Sequence, residues 1–151
     1  MIPLRGGDAF SGAHIVDSKV FRLLVDLEVH KAQRLHYCIS VVCLAAEMLS
    51  DTAPTAIGNP VASLVSRHLR ATDVVAPYGH SFVAILLVDT ETGHLPAIID
   101  RLTEHLGSVP WSAGGSSYPR HVTMAEDMLR QAVNFMIHAK ESGGSRLVTH
   151  S

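Results

Sequence analysis

The chain has 151 residues, a net charge of -2, 47% hydrophobic residues and 17% charged residues. This length suits one domain with a closed core, and the composition excludes a disordered chain. The balance of charge, with no basic run, excludes the electrostatic footprint of a nucleic-acid binder or a polybasic membrane segment; no stretch approaches a membrane span and no signal-peptide core opens the chain, so a cytoplasmic location is expected.

Residues 1–16, rich in glycine, read as an irregular leader. Asp17 or Ser18 can cap a helix that follows. In it Val20, Phe21, Leu24, Leu27, Lys31 and Leu35 recur at helical spacing. Cys38 to Ala46 is an apolar run with β-branched residues, the pattern of a buried strand. Asp51 to Pro60, with two prolines and a glycine, reads as a loop. A second helix starts near Pro60 and turns Val61, Leu64, Val65, His68 and Leu69 inward. Asp73 to Tyr78 and Phe82 to Val88 read as strands joined in a hairpin by Gly79-His80-Ser81. Leu95, Ile98, Ile99, Leu102 and Leu106 mark a third helix. Val109 to Ser116 is a strand of small residues. Met124, Met128, Leu129, Ala132, Val133, Met136 and Ala139 mark the last helix, which Gly143-Gly144 ends. Arg146 to Thr149 reads as a short edge strand. No repeat or long linker divides the chain, so helices packed on one central sheet in a single domain, 1–151, are expected.

Cys38 and Cys43, five residues apart on an extended run, point to opposite faces and cannot bridge one another. The ten histidines show no HxxxH spacing and the cysteines no CxxC. Neither a zinc site nor a cofactor is therefore expected. Ser11, Ser81 and Ser112 have no nearby His–Asp pattern, and none reads as a nucleophile.

The order of elements carries a set of motifs. Leu69 to Val83, LRATDVVAPYGHSFV, resembles the pattern LRxxDxxxRYGGDEF without a gap. Val88-Asp89-Thr90 resembles the P-x-T after the hairpin, Asp100-Arg101-Leu102 the ERI/ERL of the next helix, and Trp111 to Pro119 the run VSIGVAxYP. Ala139 to Gly143 resembles AKxxGRN, and Asp8 to Gly12 resembles the opening segment DxLTG. Together these identify the chain as similar to a degenerate GGDEF (diguanylate cyclase) domain. The resemblance implies a nucleotidyl-cyclase-like α/β fold, with a mostly antiparallel five-stranded central sheet flanked by helices.

An active GGDEF domain joins two GTP molecules, one from each protomer of a dimer, and divalent metal neutralises the phosphate charge through oxygen ligands. The family's strand Asp falls on Ala45, with Glu47 two residues on, and its signature falls on Gly79-His80-Ser81-Phe82-Val83. Both signature acids are thus replaced, and His80 stands where a glycine lets backbone approach phosphate. The guanine-reading loop, matched to Leu49–Asn59, is short and lacks its paired Asn. Lys140 matches a triphosphate-contacting Lys, but the following Arg is Gly144. The resemblance therefore implies no catalytic residues, no metal and no cyclase activity.

One constellation survives. The family's inhibitory site, RxxD, falls on Arg70-Ala71-Thr72-Asp73, and Arg101 matches a helix Arg that joins it. The resemblance implies cyclic di-GMP as ligand, with the Arg on phosphate and guanine and the Asp on the guanine edge. It also implies a ligand-linked homodimer and a protein partner to receive the signal. The residues alone also allow a plainer reading: Arg70 complements a helix end, Asp73 opens a strand, Arg101 is a solvated helix Arg, and the domain serves as a scaffold without nucleotide.

Overall fold

A computed structural model describes residues 12–47, 59–79 and 81–150. In chain order it holds β1 (His14–Ile15), α1 (Ser18–Leu35), β2 (Ile39–Ala46), α2 (Pro60–Ser66), β3 (Val74–Tyr78) and β4 (Phe82–Val88). A 3-10 turn (Thr92–His94) leads to α3 (Leu95–Glu104), β5 (Trp111–Tyr118), α4 (Ala125–Glu141) and β6 (Leu147–Thr149). The expected opening segment Asp8 to Ser11, the guanine-reading loop from 49 to 58, and His80 lie outside the described residues.

The strands form one sheet in the order β1-β3-β4-β2-β5-β6. The inner pairs β3–β4, β4–β2 and β2–β5 are antiparallel, and the outer strands β1 and β6 each pair in parallel. The sheet has six strands rather than five, because His14–Ile15 of the leader pairs with Val74 and Val75. Two residues are too few to show an alternating pattern, so this strand leaves no periodic trace in the sequence.

β2 sits mid-sheet and is buried on both faces, which is why its sequence is apolar but for Ser40, whose hydroxyl is hydrogen-bonded to Thr90 O and Ser117 Oγ. On one face Val42, Leu44 and Ile85 pack with Val61, Val65, Leu95, Ile99 and Leu102 of α2 and α3. On the other, Val41, Cys43 and Leu86 pack with Phe21, Val25 and Val29 of α1 and Met128, Ala132 and Met136 of α4. Burial pushes the Cys43 thiol pKa up, and both cysteines are free.

α1 starts at Asp17, whose carboxylate accepts from Val20 N at 2.9 Å, and ends at His36 in the left-handed conformation. Its buried stripe is Phe21, Val25, Val29 and Ala32, whereas Val20, Leu27 and Leu35 are exposed. Of the residues that recur at helical spacing in the sequence, Phe21 is buried and Leu24 half-buried. The helix carries two apolar stripes about 100° apart, and the one with Phe and valines meets the sheet. α4 lies close on β5: a Cβ at Gly114 would stand 2.2 Å from Ala132 O and Met136 N, which no larger residue permits.

Candidate functional site at the end of α2

The signature hairpin is built around Gly79, whose φ of +61° suits glycine, and Ser81 N bonds Tyr78 O at 3.2 Å. Asn59 caps α2 through Ala62 N (3.0 Å), and its Nδ2 reaches Gly79 O at 3.5 Å. Phe82 stacks on Tyr78 at 4.9 Å, while Val83 is buried beside α2. The hollow between hairpin, β2 and α2 measures about 20 Å³ and is lined by Leu44, Ala46, Asn59, Val61, Gly79, Ser81, Phe82 and Val83. None of these is acidic, and Glu47 is exposed at the strand's end, bonded through its backbone to Pro110 O. Among the described residues this small hollow is therefore lined without a carboxylate, the side chain that most often holds a divalent metal at a phosphate site.

The turn between α2 and β3 is organised differently. Asp73 is 1% exposed. Its Oδ2 accepts from Arg70 N (3.1 Å) and Arg70 Nε (3.4 Å), and its Oδ1 accepts from Val88 N (3.1 Å). Arg70 Nη2 donates to Val88 O (2.5 Å) and Thr90 Oγ1 (3.1 Å). A buried carboxylate without partners is costly; here it closes the turn and ties it to the end of β4. The RxxD pair is therefore together, but the Asp73 oxygens are turned inward. The Arg70 side chain remains 56% exposed.

Arg101, on α3, joins the same corner: its Nη2 donates to His68 O at 3.4 Å, two residues before Arg70. His105, the residue that caps the C-terminal end of α3, stacks on His68 with ring centroids 3.7 Å apart and planes 7° from parallel. Burial lowers the His68 pKa, and the neighbouring His105, Arg67 and Arg101 lower it further. Arg67, His68, Arg101 and His105 thus cluster at the end of α2, Arg70 follows His68 by two residues, and Thr90, just past β4, accepts from its guanidinium. Sequence reasoning picks out Arg70, Asp73 and Arg101 and misses Arg67, Thr90 and the histidines. His68 was expected on the inner face of α2, but the helix ends at Ser66 and the ring turns toward α3. The i, i+4 spacing of Arg101 and His105 is the signal available for the second half of the site.

A second concavity, about 730 Å³, lies between α1 and α4 and is lined in part by Arg22, Leu23, Val25, Tyr78, Leu129 and Val133. Among the described residues no group of three or more His, Cys, Asp or Glu is arranged to hold a metal, and no helix is long and apolar enough to cross a membrane.

No protein-family model and no curated protein matches the sequence. Solved structures do. The GGDEF domain of YfiN (TpbB) from Pseudomonas aeruginosa superposes with a TM-score of 0.80 at 18% identity, covering 91% of this chain and 97% of that one. The GGDEF domain of FimX from the same organism gives 0.75 at 16% identity, covering 90% and 94%. The GGDEF domain of DgcB from Caulobacter crescentus, solved in complex with c-di-GMP, gives 0.72 at 15% identity, covering 99% and 96%. The chain has the GGDEF-domain fold.

Proposed function

We propose that this domain has no cyclase activity and acts in the cytoplasm as a receptor for cyclic di-GMP. The observation that carries the reading is the two guanidinium groups at this turn: Arg70, held by Asp73, Val88 and Thr90 with its side chain largely exposed, and Arg101, bonded to His68 O two residues before Arg70. A cyclic dinucleotide offers two anionic phosphodiesters and flat guanines, and guanidinium groups bind phosphate and stack on bases. Contact of Asp73 with a guanine edge requires Arg70 to release Oδ2. The small hollow at the signature, lined without acids among the described residues, supports the loss of cyclase chemistry.

Isothermal titration of the chain with cyclic di-GMP, and GTP in parallel, tests this. Micromolar or tighter binding that is lost in Arg70→Ala is the expected result. No heat with cyclic di-GMP from a folded sample sinks the receptor reading. Turnover of GTP with magnesium or manganese would overturn the claim of inactivity. A ligand-bridged homodimer, seen as a doubling of sedimenting mass on adding cyclic di-GMP, belongs to the same reading.

The rival is a scaffold that binds a protein partner without nucleotide. It is favoured by the open concavity beside α1, whose Leu23 is 70% exposed. A signalling phenotype kept in Arg70→Ala and lost in Leu23→Glu would select it.

A further inference from the structure

We propose that the stacked His68–His105 pair is part of the phosphate-binding surface and takes up a proton when an oxyanion binds there, so that binding tightens as pH falls. This rests on the anion-binding reading of the corner and extends it to two residues outside RxxD.

The geometry sets the behaviour of the pair. Two parallel imidazoles at 3.7 Å tolerate one positive charge far better than two. The groups facing them are cationic as well: Arg67 from the end of α2, and Arg101 from α3, one turn before His105 and bonded to His68 O. On α3, Asp100 and Glu104 directly precede Arg101 and His105, around the helix from them. In the turn, Arg70 is committed to Val88, Thr90 and Asp73, and Asp73 is buried. No carboxylate among the described residues is hydrogen-bonded or ion-paired to either ring. The His68 pKa accordingly lies below its ordinary 6.5.

An oxyanion placed beside Arg101 supplies the missing negative charge. It favours the imidazolium, so a proton passes from solvent to one ring nitrogen as the ligand binds. Linkage then requires affinity to rise as pH falls between the pKa values of the bound and free pair. The limit is about tenfold per pH unit for one proton. His105, the exposed member, meets the ligand first, and His68, half-buried, is tuned through the stack.

The experiment combines cyclic di-GMP titration calorimetry at pH 7.5 and 5.5, in buffers of differing ionisation heat, with imidazole NMR titrations in the presence and absence of sulfate. Neither sulfate nor a phosphodiester titrates in this range. The expected result is about three- to tenfold tighter cyclic di-GMP binding at pH 5.5 with net proton uptake, and an upward shift of the His68 and His105 titrations in sulfate. His68→Gln with His105→Gln abolishes both effects, either single variant serving where the double does not fold. His121→Gln, which removes the separate His121–His150 stack, leaves both unchanged. Binding of cyclic di-GMP without pH dependence or proton uptake overturns the histidine proposal and leaves the receptor standing. Absence of cyclic di-GMP binding, with the sulfate shift present, overturns the receptor and supports the histidine site. Absence of both overturns both.

Discussion

Asp73 illustrates how a single side chain can satisfy a motif and still serve the fold. Its carboxylate accepts from two backbone amides and one guanidinium while almost wholly buried. Asp73→Ala leaves the amides of Arg70 and Val88 without that acceptor, so a loss of about 2–4 kcal/mol is expected by urea denaturation. Asp73→Asn, which keeps an acceptor oxygen, should cost less. At the same scale, His68 and His121 both have pKa values lowered, first by burial and then by neighbouring cations or rings. The unfolded chain therefore takes up protons before the folded one. Stability is full above about pH 6.5 and declines as pH drops below it toward the depressed folded values. A melting temperature that falls from pH 7.5 to 5.0, with a shallower fall in His68→Gln/His121→Gln, would check this. The positions of Arg70 and Asp73 are legible from their offset to the hairpin. Their inward hydrogen bonds are not, because the partners Val88 and Thr90 lie across the sheet. The His68–His105 stack is hidden for the same reason, since it joins residues on separate elements.

Among the elements, strand and helix types follow closely from periodicity, while the phase of α1 does not. A helix with apolar residues on two stripes gives no local reason to prefer one. The choice is made by the sheet, against which Phe21, Val25 and Val29 pack. Leu27, 54% exposed, is then free to change. Leu27→Glu should alter stability by no more than about 0.5 kcal/mol in thermal or chemical denaturation. Gly114 is the opposite case. Its missing side chain sets the approach of α4 to β5, and the atoms that a Cβ would meet are backbone. Gly114→Ala should cost roughly 3 kcal/mol or more, read as a lower denaturation midpoint or a loss of folded protein. The sequence shows β5 to be made of small residues, but which of them the last helix rests on is decided by the crossing of two elements distant along the chain.

For the whole molecule, the α/β class and the order of elements are readable because β2 and its neighbours are long apolar strands between amphipathic helices. β1 escapes notice because a parallel edge pairing of two residues needs no hydrophobic pattern. The functional surfaces fall at different places on this frame. The signature hairpin is filled by Val83 and Phe82, the corner at the end of α2 is charged and open, and the groove between α1 and α4 is apolar. The first two are built from motif positions, whereas of the groove's lining residues named above only Tyr78 falls in a motif, so the groove is hard to find in a linear reading.

The small strand β1 has a mechanical meaning. Ala13 N bonds Ser66 O at 2.9 Å, His14 N bonds Asp73 O at 3.3 Å, and Val16 N bonds Val75 O at 2.9 Å. The stretch that leads into α1 is thereby laced along the same turn that carries Arg67, His68 and Arg70. Any tightening of that turn is transmitted to these amides, and any pull on the stretch loosens the turn. Slower hydrogen exchange at Ala13, His14 and Val16 upon occupation of the corner would make this lacing a signal line; unchanged exchange would make it a passive seam.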